Sequence, residues 1–249
     1  MIIIKSNREV DLMREAGRIV GLALEKMRES VKPGMTTADL DRLAEEVIKG
    51  NGARPLFKGY GGFPANICTS INEEVVHGIP SSLRLLKSGD IISIDIGAEK
   101  NGYCGDAAVT LAVGEVDQEA LRLLEVTNTS LQKGIEQALE GNRLTDISHA
   151  VQVYAESNGF SVVREYVGHG IGRDMHEDPK VPNYGEPGRG PRLTPGMVLA
   201  IEPMVNMGTY HVEVMDNDWT VVTQDRKLSA HFEHSVAITD NGPRILTVI

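Results

Sequence analysis

Two acidic residues stand inside apolar segments of the sequence, where an acid is unusual. Asp95 follows Ile91-Ile-Ser-Ile, and Glu202 follows Val198-Leu-Ala-Ile. An acid at a strand end often faces water before a turn, because carboxylates are rarely buried without a partner. Each acid taken alone is therefore ambiguous between a solvated strand end and a position that does chemistry.

An internal repeat relates these two acids to each other. They lie 107 residues apart, and the same shift relates Asp39 to Asp146. It also relates two helical patterns of apolar residues, one at 40–48 and the other at 147–155. We interpret the common shift as an internal duplication of the chain.

The duplication predicts a second acid in each half. Asp106 lies 11 residues after Asp95, across a hairpin predicted from Lys100-Asn-Gly, and can sit nearly opposite it. Its context, Asp106-Ala-Ala-Val, is similar to Glu233-His-Ser-Val, although this match requires an insertion between Glu202 and Glu233. Symmetry would then bring four carboxylates to the axis between the halves.

Four carboxylates packed in a low-dielectric interior repel one another, and each carries a desolvation cost. No Lys or Arg interrupts the predicted strands to form a network of ion pairs instead. Two divalent ions would balance the four negative charges, with bridging carboxylates holding the ions about 4 Å apart. Oxygen ligands with an imidazole favour Mn, Fe, Co or Zn.

The elements that position these acids are helices followed by hairpin strands. Long amphipathic helices are predicted at about 8–30 and 118–139, each before a shorter helix. Strands are predicted at 91–98, 103–113, 197–204, 210–215, 219–223 and 231–239. This order favours an α+β fold with an antiparallel sheet. Without a linker between them, halves at about 1–115 and 116–249 are expected to form one domain, 1–249.

Composition restricts the partners and the cellular compartment. The 249 residues include 25 basic and 35 acidic side chains, and a net charge of −10 argues against nucleic acid or an anionic membrane. Cys68 and Cys104 are the only cysteines and form no C-x-x-C motif, as in reduced proteins. With no signal peptide and no apolar run of about 20 residues, we expect a cytoplasmic protein.

Seven histidines could serve as ligands or proton donors. Glycines flank His77 and His169, and they allow the backbone or a substrate to approach closely. His176 follows His169 by seven residues. The remaining four are assigned to structural or surface positions: His149, His211, His231 and His234.

Five motifs, in this order, resemble those of the type I methionine aminopeptidases. They are Asn72-Glu-Glu-Val-Val-His-Gly-Ile-Pro, Asp95 with Gly105-Asp106, Tyr166-Val-Gly-His-Gly-Ile-Gly, Ala200-Ile-Glu-Pro-Met and His231-Phe-Glu-His. The resemblance implies the pita-bread fold, in which two pseudo-twofold-related halves surround a curved antiparallel sheet. It implies a single catalytic domain that hydrolyses the N-terminal methionine from nascent proteins and peptides, with a small second residue preferred.

The resemblance also implies a ligand set for two divalent ions, which could be Co, Mn, Fe or Zn. The implied ligands are Asp95, Asp106, His169, Glu202 and Glu233. Among them, Asp106 and Glu233 would bridge both ions. Asn72 and Ser229 occupy positions that help hold an additional monovalent cation in some relatives.

Catalytic roles are implied for three residues. Glu202 would accept a proton from the attacking water and pass it to the leaving amine. His176 would donate a hydrogen bond to the developing oxyanion, and His77 would contact the scissile amide. By family position, the walls of the methionine pocket would include Tyr60, Phe63, Cys68, Met175 and Trp219. Relatives often have tyrosine in place of Phe63, and some have phenylalanine in place of Met175.

Other functions stay open at this point. An X-Pro-type aminopeptidase shares the fold and usually carries a separate N-terminal domain. A dinuclear phosphoesterase should show basic residues near the metals, and the motifs offer little beyond Arg173. A non-catalytic peptide-binding protein of this fold should have lost ligand positions. We expect a monomer that acts on nascent polypeptide N termini, with the ribosome as a further candidate partner.

Overall fold

The computed structural model describes residues 1–249 as four α-helices and fifteen strands. The helices are α1 (Asn7–Ser30), α2 (Thr37–Gly50), α3 (Gln118–Glu136) and α4 (Leu144–Ser157). Before α3 lie β1 (Arg54–Pro55), β2 (Cys68–Ile71), β3 (Glu74–Val76), β4 (Ile91–Lys100) and β5 (Tyr103–Ala112). After α4 lie β6 (Ser161–Val162), β7 (Gly168–Gly170), β8 (Glu177–Val181), β9 (Val198–Ile201), β10 (Met204–Asn206), β11 (Val212–Val214), β12 (Val221–Thr223), β13 (Ser229–His231), β14 (His234–Thr239) and β15 (Gly242–Ile245). None of the helices is both long and apolar enough to span a membrane.

Local sequence signals set the helix boundaries. Ser6 with Glu9 forms a capping box at the start of α1, and Thr36 with Asp39 forms one at the start of α2. α2 ends at Gly50, where the sequence predicts its end. The apolar faces of the helices pack against the sheets, and the largest core cluster contains 41 buried residues.

The β4–β5 hairpin is the centre of the first half. The two strands pair from Ile91↔Ala112 to Lys100↔Tyr103 around Asn101-Gly102, whose φ angles of 54° and 78° suit a two-residue hairpin turn. Along its other edge β4 pairs with β1 and β2. In the second half β9 pairs in the same way with β14 on one side and β7 on the other. All of these pairs are antiparallel, as predicted.

The two halves join where β5 meets β13 and β14. The hydroxyl of Ser235 accepts from the N–H of Asp106 at 3.1 Å and donates to its carbonyl at 2.8 Å. The hydroxyl of Thr110 makes the same pair of bonds to the backbone of His231, both at 2.8 Å. Two side chains thus replace ladder bonds at the junction and fix the backbone of Asp106 and His231.

The 107-residue shift recurs in the strand register. β1 pairs with β4 at Arg54↔Glu99 and Pro55↔Ala98. β6 pairs with β10 at Ser161↔Asn206 and Val162↔Val205, so each of these four positions is displaced by 107 residues. The α+β pita-bread architecture with its pseudo-twofold is therefore as predicted. The division into halves at about residue 115 stays a prediction.

Two strand predictions are wrong, because each predicted strand is broken into two. The segment 197–204 is split between β9 and β10, and 231–239 is split between β13 and β14. Pro203 has no N–H for the ladder, and the N–H of Glu233 donates instead to Ala108 of the other half at 3.0 Å. The strands predicted at 210–215 and 219–223 are also shorter. The two breaks lie opposite each other, since Ile201 pairs with His234 and Met204 with His231.

Candidate active site

A cavity of about 200 Å³ lies where the two halves meet. The twelve residues that the sequence analysis assigns to the divalent ions, to catalysis or to the methionine pocket all line it, together with Phe57. They are Tyr60, Phe63, Cys68, His77, Asp95, Asp106, His169, Met175, His176, Glu202, Trp219 and Glu233. Outside this cavity, Asn72 and Ser229 are neighbours, because the N–H of Ser229 donates to the carbonyl of Asn72 at 2.9 Å.

Two of the four acids lie on the β4–β5 hairpin, and the other two lie next to the paired strands β9 and β14. Asp95 on β4 pairs with Ala108, and Asp106 on β5 pairs with Gly97, so the two acids are diagonal neighbours on one face. Glu202 and Glu233 occupy the two opposed strand breaks of the second half. Because the backbone at these breaks is not held in a strand ladder, the side chains of Glu202 and Glu233 can turn toward Asp95 and Asp106. The strand breaks are therefore part of what assembles the cluster.

Burial raises the pKa of all four carboxyl groups. The pKa of Asp95 rises to about 7 and that of Glu202 to about 8. The pKa values of Asp106 and Glu233 lie well above the usual range, because burial is reinforced by the neighbouring acids. No Lys or Arg lines the cavity to neutralise them.

The donor atoms fit a divalent cation. One oxygen each of Asp95, Asp106 and Glu233 is buried without a hydrogen-bond partner, which is costly unless a cation satisfies it. The candidate ligand atoms of Asp106, His169 and Glu233 all lie within 4.8 Å of one another. Hard oxygen donors with one imidazole are typical of sites for Mn, Fe, Co or Zn.

His169 is held as a neutral imidazole whose Nε2 can act as a metal ligand. Its Nδ1 lies 2.9 Å from the carbonyl of Gly170, so Nδ1 carries the proton and Nε2 carries the lone pair. Nε2 lies 3.6 Å from Oε1 of Glu202. Burial lowers the pKa of His169 to about 4, which keeps the ring neutral at physiological pH.

The glycines beside the histidines allow close packing of the backbone. A Cβ on Gly78, next to His77, would lie 2.1 Å from the carbonyl oxygen of Thr69. A Cβ on Gly170, next to His169, would lie 2.1 Å from the carbonyl oxygen of Asp178. These contacts hold the histidine backbones against neighbouring chain segments.

His77 and His176 stand at different walls of the cavity. His77 has a φ of 61° and meets the Trp219 ring edge-on, with 6.4 Å between centroids. His176 is exposed at the rim, where its Nδ1 lies 2.7 Å from the hydroxyl of Tyr60. Its ring centroid is 4.2 Å from that of His169. Burial lowers the pKa of His77 to about 4. The pKa of His176 is also lowered, because neighbouring cavity groups partly remove the ring from water although the residue is exposed at the rim.

An apolar pocket adjoins the acids. Phe63 and Trp219 meet edge-to-face with centroids 5.1 Å apart, and Phe63, Cys68 and Met175 are buried. Burial raises the pKa of the Cys68 thiol well above its usual value, so Cys68 is a neutral, apolar wall. Such a pocket accommodates an unbranched apolar side chain and allows contacts between sulfur and aromatic edges.

Sequence reasoning missed two residues of the site. Phe57 lines the cavity, but the sequence analysis assigns no role to it. His231 was assigned to a surface or packing position, yet it is 1% exposed and its Nε2 lies 3.6 Å from Oε2 of Glu202. The sequence offers no signal for His231, because β13 ends at this residue and its two-residue spacing to Glu233 does not place both side chains on one strand face.

Known proteins match the chain over nearly its whole length. The sequence profile of metallopeptidase family M24 matches residues 11–240. The chain belongs to metallopeptidase family M24. Over 248 residues it is 65% identical to a methionine aminopeptidase of Clostridium acetobutylicum, covering 100% of this chain and 99% of that protein. A methionine aminopeptidase 1 of Bacillus subtilis is 60% identical over 247 residues, which is 99% of each chain.

Solved structures agree with this assignment. A crystal structure of methionine aminopeptidase from Thermotoga maritima has a TM-score of 0.99 at 49% identity and covers 100% of both chains. A prolidase from Pyrococcus horikoshii has a TM-score of 0.79 at 24% identity, covers 99% of this chain and 64% of its own, and shares the fold alone. Within M24, the chain is therefore grouped with the type I methionine aminopeptidases and is a metal-dependent hydrolase.

Proposed function

We propose that this M24 enzyme releases the N-terminal methionine from peptides and nascent proteins with a small second residue. The supporting observation is a single cavity that has four carboxylates and His169 on one side and an apolar, sulfur-compatible pocket on the other. The first part suits hydrolysis of a peptide bond, and the second suits a methionine side chain. Without basic residues in its lining, the cavity is poorly suited to a phosphate ester.

The ligand set is part of this proposal. Asp95, Asp106, His169, Glu202 and Glu233 would hold two divalent ions drawn from Co, Mn, Fe and Zn. Three of them carry buried oxygens without a partner, and His169 presents a free lone pair. When bound, the ions would polarise the scissile carbonyl and make a water molecule more acidic.

Glu202 is proposed to move the proton. Its carboxylate lies at the wall of the cavity, with Oε1 facing His169 and Oε2 facing His231, each at 3.6 Å. Burial raises the pKa of Glu202 to about 8 in the metal-free protein. Bound dications would keep its carboxylate ionised, so Glu202 would be able to accept a proton from the attacking water and pass it to the leaving amine.

The two cavity histidines are proposed to bind the reacting amide. With Nδ1 of His176 occupied by Tyr60, Nε2 is the nitrogen left to face a substrate. An N–H there would donate to the oxyanion as it develops. His77 stands beside Trp219, next to the apolar pocket, where it could contact the scissile amide of a bound methionine.

Peptide hydrolysis in the presence and absence of metal tests the proposal. Metal-free protein would be given Met-Ala-Ser or Leu-Ala-Ser, and Mn²⁺, Fe²⁺, Co²⁺ or Zn²⁺ would then be added singly. Free amino acid would be quantified by mass spectrometry. We expect methionine release only after metal addition and far slower release of leucine.

The same assay distinguishes the alternatives. Cleavage of Met-Pro-Ser but not Met-Ala-Ser would indicate an X-Pro-type activity, and an inactive metal-loaded protein would indicate a non-catalytic binder. The cellular substrates are proposed to be nascent chains in the cytoplasm, with the enzyme acting as a monomer near the ribosome.

A further inference from the structure

His231 is a buried imidazole to which the proposed reaction assigns no role. It ends β13, is 1% exposed, and its Nε2 has no hydrogen-bond partner. A buried polar atom without a partner destabilises a protein. The strand fixes its position, because Thr110 bonds both the N–H and the carbonyl of His231 and because His231 pairs with Met204.

The carboxylate of Glu202 lies between two imidazoles. Oε1 is 3.6 Å from Nε2 of His169, and Oε2 is 3.6 Å from Nε2 of His231. Each oxygen therefore faces a different histidine nitrogen. The orientation of the Glu202 carboxylate depends on whether each of those two nitrogens presents a proton or a lone pair to it.

The Nε2 atoms of His169 and His231, which both face Glu202, differ in whether they can carry a proton. His169 donates its N–H to the carbonyl of Gly170, so its Nε2 presents a lone pair to Glu202. When Glu202 is ionised, two electron-rich atoms face each other there, an arrangement that a cation would stabilise. On the other side, a proton on Nε2 of His231 would point toward a carboxylate oxygen, and that arrangement is attractive.

We propose that His231 is a positioning residue that donates its Nε2–H to Oε2 of Glu202 and holds the other oxygen toward His169. The inference rests on the proposed function, which makes Glu202 both a ligand and the proton acceptor. At 3.6 Å the pair is longer than a hydrogen bond, and a side-chain shift of about 0.5 Å closes it. Such an outer bond orients a metal-binding carboxylate and raises metal affinity or activity.

The histidine tautomer gives a direct test that does not depend on activity. Protein labelled with ¹⁵N-histidine would be studied by long-range ¹H–¹⁵N correlation above pH 8, where Glu202 is ionised even without metal, first without metal and then with Zn²⁺. The signals of His231 are those lost in His231→Gln. We expect Nε2 to be protonated in both states. An unprotonated Nε2 in the metal-free protein, or a Zn²⁺-coordinated Nε2, would overturn the proposal, and the second result would make His231 a ligand.

Two substitutions separate hydrogen bonding from packing. His231→Leu fills the space without a donor, whereas His231→Gln retains an amide N–H. We expect the Leu variant to lower kcat on Met-Ala-Ser, or Zn²⁺ affinity measured by calorimetry, by roughly 10- to 100-fold. The Gln variant should recover to within a few-fold of the original protein. The exposed His211, changed to Leu, is the matched control and should alter neither quantity.

The outcomes also separate this inference from the proposed function. Equal activity and affinity in the Leu and Gln variants, whether normal or impaired, would contradict a hydrogen-bonding role for His231. If the unaltered protein releases no methionine with any metal, the proposed function fails. The tautomer and the Zn²⁺ affinities would still decide whether His231 supports Glu202.

Discussion

The residues of this site can be predicted from the sequence when the internal repeat is used to judge whether an acid is functional. Asp95 alone is ambiguous, but the 107-residue shift to Glu202 turns two isolated acids into a symmetric pair. The resemblance to type I methionine aminopeptidases supplies the rest of the cavity lining. Sequence analysis does not identify Phe57 and His231 as site residues, because phenylalanine and histidine often have packing roles in a core. Only their three-dimensional proximity to the site distinguishes them from ordinary core residues.

His77 gives the sharpest prediction for a single side chain. Its ring contacts Trp219 at the cavity wall and is not among the clustered donor atoms of Asp106, His169 and Glu233. We expect His77→Ala to lower kcat/KM on Met-Ala-Ser by on the order of 100-fold, because a hydrogen bond to the reacting amide is lost. Metal content, measured by mass spectrometry of the dialysed protein, should not change. Loss of metal would reassign His77 as a ligand.

A second prediction at the residue scale concerns Glu233. Its buried oxygen lacks a partner in the protein, and its backbone N–H is already bonded to Ala108 of the other half. Glu233→Gln keeps the volume but removes a negative charge and replaces one donor oxygen. We expect binding of divalent metal, followed by calorimetry, to weaken at least 10-fold. Unchanged affinity and stoichiometry would show that Glu233 is not a ligand.

At the scale of elements, helices and the first hairpin are predictable, whereas the strand breaks are not. Capping boxes, terminal glycines and the Asn101-Gly102 turn are local signals, so 91–98 and 103–113 correspond closely to β4 and β5. The break after β13 has no local signal. It exists because the N–H of Glu233 bonds to β5, which is a long-range contact. Pro203 lies within the predicted strand 197–204, but whether it breaks that strand depends on the strand that pairs with it.

The loop that carries Met175 and His176 is held by a buried ion pair, and this contact predicts a stability change. Nζ of Lys5 lies 2.6 Å from Oε2 of Glu177, with both side chains no more than 5% exposed. Lys5→Met leaves the carboxylate buried without its partner, at a cost of about 3 kcal/mol. We expect the melting temperature, measured by calorimetry, to fall by roughly 6–12 °C.

Exposed pairs provide the control for this ion pair. Lys26 is half-exposed and lies 3.8 Å from Glu29, so Lys26→Met should change the melting temperature little. Adding Glu177→Gln to Lys5→Met removes the buried charge and should recover much of the loss. An equal effect of Lys5→Met and Lys26→Met would show that the buried pair does not stabilise the loop.

At the scale of the whole molecule, the acid cluster predicts how stability depends on pH without metal. The unfolded chain loses these carboxyl protons near pH 4, whereas in the folded chain the pKa of Asp95 is about 7 and that of Glu202 about 8. Folding therefore retains protons, and stability falls as pH rises through the folded pKa values. His77 and His169, with folded pKa values lowered to about 4, lose their protons near pH 6.5 in the unfolded chain, so they are neutral in both states above about pH 7.5.

Thermal unfolding with a chelator tests this pH dependence. Between about pH 7.5 and 8.5, where the histidines are neutral in both states, the melting temperature of the metal-free protein should decrease. With excess Mn²⁺ the decrease should disappear or reverse, because metal binds the deprotonated ligands. The double variant Asp95→Asn with Glu202→Gln should make the metal-free curve less steep, because only Asp106 and Glu233 of the four acids would still retain protons on folding. A metal-free melting temperature that is constant or rises with pH would contradict the buried acid cluster.

The central claim is that acids from the two halves of the chain meet at their junction and are held together by dications. Anomalous diffraction at the Mn absorption edge, from crystals grown with Mn²⁺, locates the ions directly. Two peaks are expected among the carboxylate oxygens of Asp95, Asp106, Glu202 and Glu233, one of them beside Nε2 of His169. A map without peaks among these oxygens, with the acids paired instead to lysine or arginine, would contradict the account.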